Sequence, residues 1–214
     1  MAGSLKFFRM KIFLLIVTIF VSSFLFAQEK KTEFDGHTWV APYHFPVPKD
    51  WTIERFLLPP FFAPRITYKG VEDIRFMPGW GNVKSDEYWS YLFLWYLDDK
   101  PTFDRTKLEN DLKFYYEGLI RINSDSSKAA SESPIPVITS LEALPRESTS
   151  YSGSVQMRDF MTRKPITLNC KVYLFSCPER NRTIVIFELS PQPFKHPVWV
   201  GLDQVRRDFV CEKK

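Results

Sequence analysis

The sequence lacks a strong charge of either sign, and it lacks the motifs that identify many enzymes. Its 214 residues include 29 Lys and Arg against 25 Asp and Glu. Three of the basic residues lie in the first 27 positions, which leaves 26 basic and 25 acidic side chains in the remainder. This near balance excludes a strongly basic nucleic-acid binder, which needs a cationic face. G-x-S-x-G, H-E-x-x-H, P-loop and dinucleotide-binding motifs are absent.

Cysteine and histidine are scarce, with three residues of each. Neither set has the spacing of a metal site, so we expect no metal and no cofactor. On one extended strand Cys170 and Cys177 would lie about 23 Å apart on opposite faces, which excludes a bond between them. Cys211 could pair with either of them if the Cα atoms come close enough. We favour the interpretation that all three are small, buried, reduced side chains.

Long apolar runs are absent after residue 27, whereas the first 27 residues have the layout of an export signal. Lys6, Arg9 and Lys11 precede the apolar stretch Ile12–Phe26, and Ala27 suits a cleavage site. We therefore expect a signal peptide over these 27 residues, a periplasmic or secreted protein, and no membrane span after cleavage. An uncleaved anchor is the alternative, because the apolar stretch is only slightly short of a span.

Aromatic residues make up 16% of the chain, which excludes disorder and supplies a core for one domain over residues 28–214. The strongest strand is Tyr88–Leu97, which is apolar on both faces and therefore central in a sheet. A helix is predicted over Thr106–Ile122 from its capping-box spacing, with a start up to four residues earlier, at Thr102, as the alternative. Another helix is predicted over Pro197–Val210 from its proline start and apolar stripe. Between the two halves, residues 123–136 are predicted to form a mobile Ser-rich connection. Later strands are predicted at Val137–Leu144, Ser152–Met161, Ile166–Cys177 and Arg182–Leu189, the last three as an antiparallel meander.

The order of these elements predicts an α+β fold in which helices cover a central, mostly antiparallel sheet. The turn Pro48-Lys49-Asp50-Trp51, a mid-chain helix, a meander and the closing stretch Ile184–Phe209 resemble the PsbP-like α/β/α sandwich. The segment Tyr68–Phe76 resembles sequences found in uncharacterised exported bacterial proteins. The long aromatic insert Phe56–Trp89 departs from the PsbP-like layout. The resemblance implies a binding or assembly factor, and it carries no catalytic residues.

Trp80 is the first candidate for a recognition surface, because it lies between two glycines in a turn where burial is hard to arrange. An exposed Trp can stack on a ring or anchor a partner. We predict a surface formed by Trp80 with Tyr68, Arg75 and Met77. The alternative is a Trp80 side chain that folds back over the end of the sheet.

A second candidate is the proline-flanked pair Phe61 and Phe62. Adjacent Phe residues between prolines are either buried under the sheet or presented as a rigid apolar patch. On an exported protein, such a patch would mark a contact with a protein or a membrane.

The predicted function is therefore that of a noncatalytic binding or assembly factor of the cell envelope. Its expected partner is an envelope protein or a small ligand, and not a nucleic acid. The alternative is a small periplasmic hydrolase with a His/carboxylate site, such as His44 with Asp73. No spacing in the sequence forces such a pair together. The candidates for acid–base work are His37, His44, His196, Glu54, Glu72 and Asp73.

Overall fold

The computed structural model describes residues 34–124, 136–144 and 150–212. The predicted signal peptide lies outside these residues, and so does most of the predicted Ser-rich connection. In the part of the chain that is described, no helix is long and apolar enough to cross a membrane.

The described residues form nine strands, two α-helices and a single turn of 3-10 helix at Pro178–Arg180. In the first half of the chain the elements are β1 (Tyr43–His44), β2 (Thr52–Leu58), β3 (Gly70–Phe76), β4 (Tyr91–Leu97) and α1 (Arg105–Asn123). In the second half they are β5 (Ile138–Ala143), β6 (Ser150–Arg158), β7 (Pro165–Cys177), β8 (Arg182–Ser190), α2 (Val198–Arg207) and β9 (Val210–Cys211).

Seven of the strands form one large antiparallel sheet in the order β2-β3-β4-β8-β7-β6-β5. The predicted meander is confirmed by β6, β7 and β8, which pair in sequence. Strand β4 lies inside the sheet with all seven residues buried, as its two apolar faces predict. The short strands β1 and β9 pair separately. The expected α+β class with a mostly antiparallel sheet is therefore confirmed.

Alternate residues of β4 belong to two different hydrophobic clusters. Tyr91, Phe93 and Trp95 pack in the cluster that contains the buried side chains of α1. Leu92 and Leu94 pack in the cluster that contains the buried side chains of α2. Because successive strand residues point to opposite faces, each helix lies on its own face of the sheet. Helix α1 packs against β5 and β6, and α2 packs against β8.

The predicted helices have nearly the observed bounds, but their caps differ. Helix α1 begins one residue early, because the side chain of Asp104 accepts a hydrogen bond of 2.8 Å from the Lys107 backbone N–H. Asp104 is therefore the N-cap in place of the capping-box residue Thr106, and the helix begins within the predicted range of Thr102 to Thr106. Helix α2 is shorter than predicted, since it ends at Arg207 and the chain then pairs with β1 as β9.

The cysteines confirm that Cys170 does not pair with Cys177, but they are not all reduced. Cys170 and Cys177 lie on β7 in different hydrophobic clusters, so they do not pair. Cys177 forms a disulfide with Cys211, with 5.9 Å between their Cα atoms. Only Cys170 is a free, buried thiol, and the interpretation of three reduced cysteines is wrong. The bond joins the end of β7 to β9.

Candidate functional site

An open pocket of about 450 Å³ lies on the α1 face of the sheet. Helix α1 packs on the β5–β6 side of that face, and the pocket lies against β2, β3 and β4 at the other side. The polar lining residues are Glu54, Arg55 and Asn123, and the aliphatic ones are Ile74, Leu119 and Ile122. The remaining nine of its fifteen lining residues are aromatic: Phe56, Phe61, Phe62, Phe76, Trp80, Trp89, Tyr91, Tyr115 and Phe160.

Trp80 is half-buried and forms part of the pocket lining. Its ring stacks on Phe76 with 4.5 Å between centroids and meets Trp89 edge-on at 6.5 Å. The backbone fixes this position, because Trp80 N–H donates to the Met77 carbonyl at 3.0 Å and the Trp80 carbonyl accepts from Trp89 N–H at 2.9 Å. The side chain thus folds back onto the sheet at Phe76, while part of it faces the pocket.

The loop that carries Trp80 is tied to the turn after β6 by the buried carboxylate of Asp159. Asp159 accepts hydrogen bonds from the Trp89 indole at 3.1 Å and the Tyr88 hydroxyl at 2.5 Å. It also accepts from the Thr162 hydroxyl and the Met161 N–H. Burial alone would raise the pKa of Asp159, but the four donors outweigh it and the pKa lies below its usual value. The carboxylate is therefore a charged anchor for this loop.

The Phe61–Phe62 pair combines the two predicted arrangements. Phe62 is buried and packs edge-to-face on Tyr115, with 5.1 Å between centroids. Phe61 is 80% exposed at the rim of the pocket. This arrangement depends on Gly118 of α1, because a Cβ there would lie 2.1 Å from the Phe62 carbonyl oxygen. Arg121 donates to the same carbonyl at 3.0 Å.

The other three residues predicted for the recognition surface lie elsewhere. Arg75 and Met77 are buried on the opposite face, because they alternate along the chain with Ile74 and Phe76, which face the pocket. Arg75 pairs there with Asp73. Tyr68 is also buried, and its hydroxyl donates to Asp111 at 2.6 Å. Trp80, Phe61 and Phe62 thus line one pocket, whereas Tyr68, Arg75 and Met77 do not line it.

A fully buried carboxyl group lies next to the pocket at Glu72 on β3. It accepts a hydrogen bond of 2.6 Å from the hydroxyl of Tyr115, a pocket-lining residue, and one of 3.0 Å from the Trp95 indole. Burial raises the pKa of Glu72 to about 8, so this group is protonated at neutral pH. Glu54 on β2 acts on Glu72 electrostatically, and partial desolvation raises the pKa of Glu54 as well.

The candidate histidines are not brought together with the candidate carboxylates at the aromatic pocket. His37 and His44 are exposed, and His196 accepts a hydrogen bond of 3.2 Å from the Val198 N–H at the start of α2. Asp73 is buried and binds the Tyr43 hydroxyl at 3.0 Å as well as two arginines. None of the three histidines lines the aromatic pocket.

The described geometry can desolvate and stack an apolar or aromatic group. Among the described residues, no cluster of His, Cys, Asp and Glu could hold a metal ion. The sequence contains the signal for most of the pocket, since the aromatic insert Phe56–Trp89 supplies six of its nine rings. The chain matches no protein-family model, no curated protein and no solved structure.

Proposed function

We propose that this chain is a noncatalytic, exported binding or assembly protein of the cell envelope, and that its aromatic pocket holds the apolar part of a small ligand. The observation that carries the proposal is Phe61, which is 80% exposed beside a pocket lined by nine aromatic rings. Burying a Phe side chain contributes about 1.5–3 kcal/mol, so leaving it in water has an energetic cost that a bound ligand would remove. A pocket of about 450 Å³ lies within the range of small-molecule sites.

The lining is held in place before any ligand binds, which supports a binding role. The Trp80 loop is fixed by the Asp159 bonds, and the Phe62 carbonyl is fixed on α1 by Arg121. A preformed site loses less conformational entropy on binding than a flexible one.

Export is supported by the N-terminal pattern of charge and apolar residues and by the Cys177–Cys211 bond, because disulfides persist in oxidising compartments. Intact mass spectrometry of the protein from the envelope of its host tests this part. Export with cleavage predicts a chain that begins at Gln28 and lacks two hydrogens. A chain of full mass in the soluble cytoplasmic fraction would contradict it.

A PsbP-like α/β/α sandwich is the finer fold that we propose. Its support is the placement of α1 and α2 in separate clusters on opposite faces of the sheet.

The alternative of a periplasmic hydrolase has no support from the His44–Asp73 pair, because Asp73 is engaged by Arg55 and Arg75 while His44 is exposed.

The binding proposal is tested with N-phenyl-1-naphthylamine, a neutral fluorophore that brightens in apolar pockets. The wild-type protein should bind it at one site. Phe61→Ser should weaken binding by about 1 kcal/mol, roughly fivefold, because half or less of a Phe burial energy is lost at the rim. Its melting temperature should stay unchanged, since Phe61 is exposed in the free protein.

Phe194→Ser is the matched control, because Phe194 is also exposed, at 43%, but packs on Trp199 of the other face. This variant should bind the fluorophore like the wild type. The proposal would be overturned if the wild type failed to bind, or if both variants weakened binding equally.

A further inference from the structure

The pocket has an unusual balance of aromatic and charged side chains. Its rings outnumber its aliphatic side chains by nine to three. Aliphatic groups offer only apolar area, whereas the face of an aromatic ring carries a negative quadrupole that attracts cations. A lining made mostly of rings therefore suits a ligand that is apolar and positively charged better than one that is purely aliphatic.

Only two lining residues carry a formal charge, and they are not equivalent. The Arg55 Nε atom lies 3.0 Å from an Asp73 carboxylate oxygen. Asp73 belongs to the face of β3 that carries Arg75, so the guanidinium of Arg55 is directed away from the pocket. On that far face Arg55 and Arg75 share the one Asp73 carboxylate.

The carboxylate of Glu54 is different. Within the described residues it has no hydrogen bond, ion pair or ring contact, and it lies on the same face of the sheet as its cross-strand neighbour Ile74, which lines the pocket. Glu72 adds no positive charge, since it is neutral when protonated and negative when ionised. The one charged side chain of the described lining that lies on the pocket face is therefore negative.

We propose that the ligand of this pocket is an organic cation, an ammonium group attached to an apolar body, with the rings around the apolar body and Glu54 facing the ammonium. This inference rests on the proposed function, because it assigns a ligand class to the same pocket. Ion pairing at an exposed carboxylate and one cation–π contact together predict about a tenfold preference for a cation over an anion of equal size.

The test compares phenyltrimethylammonium with benzenesulfonate, two ions that share a phenyl ring and a tetrahedral head of opposite charge. Each is used to displace N-phenyl-1-naphthylamine from the wild-type protein at low salt. The cation should displace the fluorophore at about tenfold lower concentration. The preference should shrink as salt is added, because exposed charges are screened.

Glu54→Gln removes the charge and keeps the size of the side chain. It should abolish most of the cation preference, measured as the ratio of the concentrations at which the two ions displace the fluorophore from the same variant. Glu142→Gln is the matched control, because Glu142 is an exposed glutamate on β5, the opposite edge strand of the same sheet. It should keep the preference of the wild type.

The outcomes separate this inference from the proposed function. Fluorophore binding without a cation preference, or a preference that survives in Glu54→Gln, would overturn the inference and leave the pocket as an apolar binding site. No fluorophore binding by the wild type would overturn the proposed function, and the inference with it.

Discussion

The indole N–H of Trp89 donates a 3.1 Å hydrogen bond to the carboxylate of Asp159, a residue 70 positions later in the chain. Trp89 has a φ of 54°, in the left-handed region that side chains other than glycine rarely occupy. The bond and the complete burial of the indole offset the energetic cost of this backbone conformation. They also hold the loop that carries Trp80 against the sheet.

Asp159→Ala should therefore destabilise the protein and weaken ligand binding together. The substitution leaves the Trp89 indole and the Tyr88 hydroxyl without their acceptor, which predicts a loss of about 2–4 kcal/mol in the free energy of unfolding. Chemical denaturation gives this value, and fluorophore titration gives the affinity. Asp159→Asn keeps one acceptor oxygen, so its free energy of unfolding should lie between those of the wild type and Asp159→Ala. An unchanged free energy of unfolding in Asp159→Ala would contradict the anchoring role.

Gly118→Ala should lower the melting temperature although alanine is the better helix former. At a solvent-exposed position in a helix, replacing glycine by alanine would stabilise the protein by about 1 kcal/mol. Here the new Cβ would lie 2.1 Å from the Phe62 carbonyl oxygen, so the loop before β3 must move away from α1. We expect weaker fluorophore binding as well. Gly81→Ala is the control, since a Cβ there meets nothing within 4 Å. A higher melting temperature for Gly118→Ala would show that the contact is dispensable.

Glu72→Gln should stabilise the protein at alkaline pH. The pKa of Glu72 is about 8 in the folded protein, against about 4.3 for an unperturbed glutamate. Between these values the unfolded chain is ionised while the folded one stays protonated. The contribution of Glu72 to the free energy of unfolding is therefore complete below the pKa of the unfolded state. It falls by up to about 1.4 kcal/mol per pH unit as the pH rises toward the pKa of the folded state. Glutamine is neutral throughout; its amide oxygen can accept from the Trp95 indole N–H, and its NH2 group can donate to the Tyr115 hydroxyl oxygen.

The measurement is the difference in melting temperature between Glu72→Gln and wild type at pH 5 and at pH 8.5. The difference should be small at pH 5 and should favour the variant at pH 8.5. Glu142→Gln should show no such trend, because Glu142 is exposed on β5. A difference that is the same at both pH values would mean that Glu72 is ionised in the folded state.

Thiol counting tests the cysteine arrangement. Alkylation in denaturant without reductant should label one cysteine, Cys170, and alkylation after reduction should label all three. Closing a segment with a sequence separation of 34 residues predicts about 3–4 kcal/mol of stabilisation. Cys211→Ser should therefore unfold at clearly lower denaturant concentration. Labelling of three thiols without reductant would contradict the disulfide.

The sequence predicts the regular elements well because their signals are local. The signals lie within a few residues for the apolar faces of the predicted strand Tyr88–Leu97, for the helical stripe of Leu108 and Leu112, and for the short turns of the meander. The observed strand begins three residues later than predicted, at Tyr91. The cap at Asp104 was missed because Thr106 with Glu109 fits the capping-box spacing equally well.

The pocket was predicted only in part because its geometry depends on contacts between distant segments. Trp80, Phe61 and Phe62 stood out from their proline and glycine neighbours. Arg75 and Met77, which the sequence analysis groups with Trp80 on one surface, are instead buried, because both faces of the sheet are covered. The anchoring role of Asp159 and the need for Gly118 follow from partners 70 and 56 positions away, which no local pattern indicates.

The most direct test of the central claim fills the pocket from the helix side. Leu119 of α1 lines the pocket and is only partly buried, so Leu119→Trp adds a large ring where there is space for it. Ile138→Trp, at an exposed position of β5, is the control. Titration with N-phenyl-1-naphthylamine should show loss of binding in Leu119→Trp alone, with a melting temperature equal to or above that of the wild type. Undiminished binding by a folded Leu119→Trp would show that the fluorophore binds elsewhere and would contradict the account.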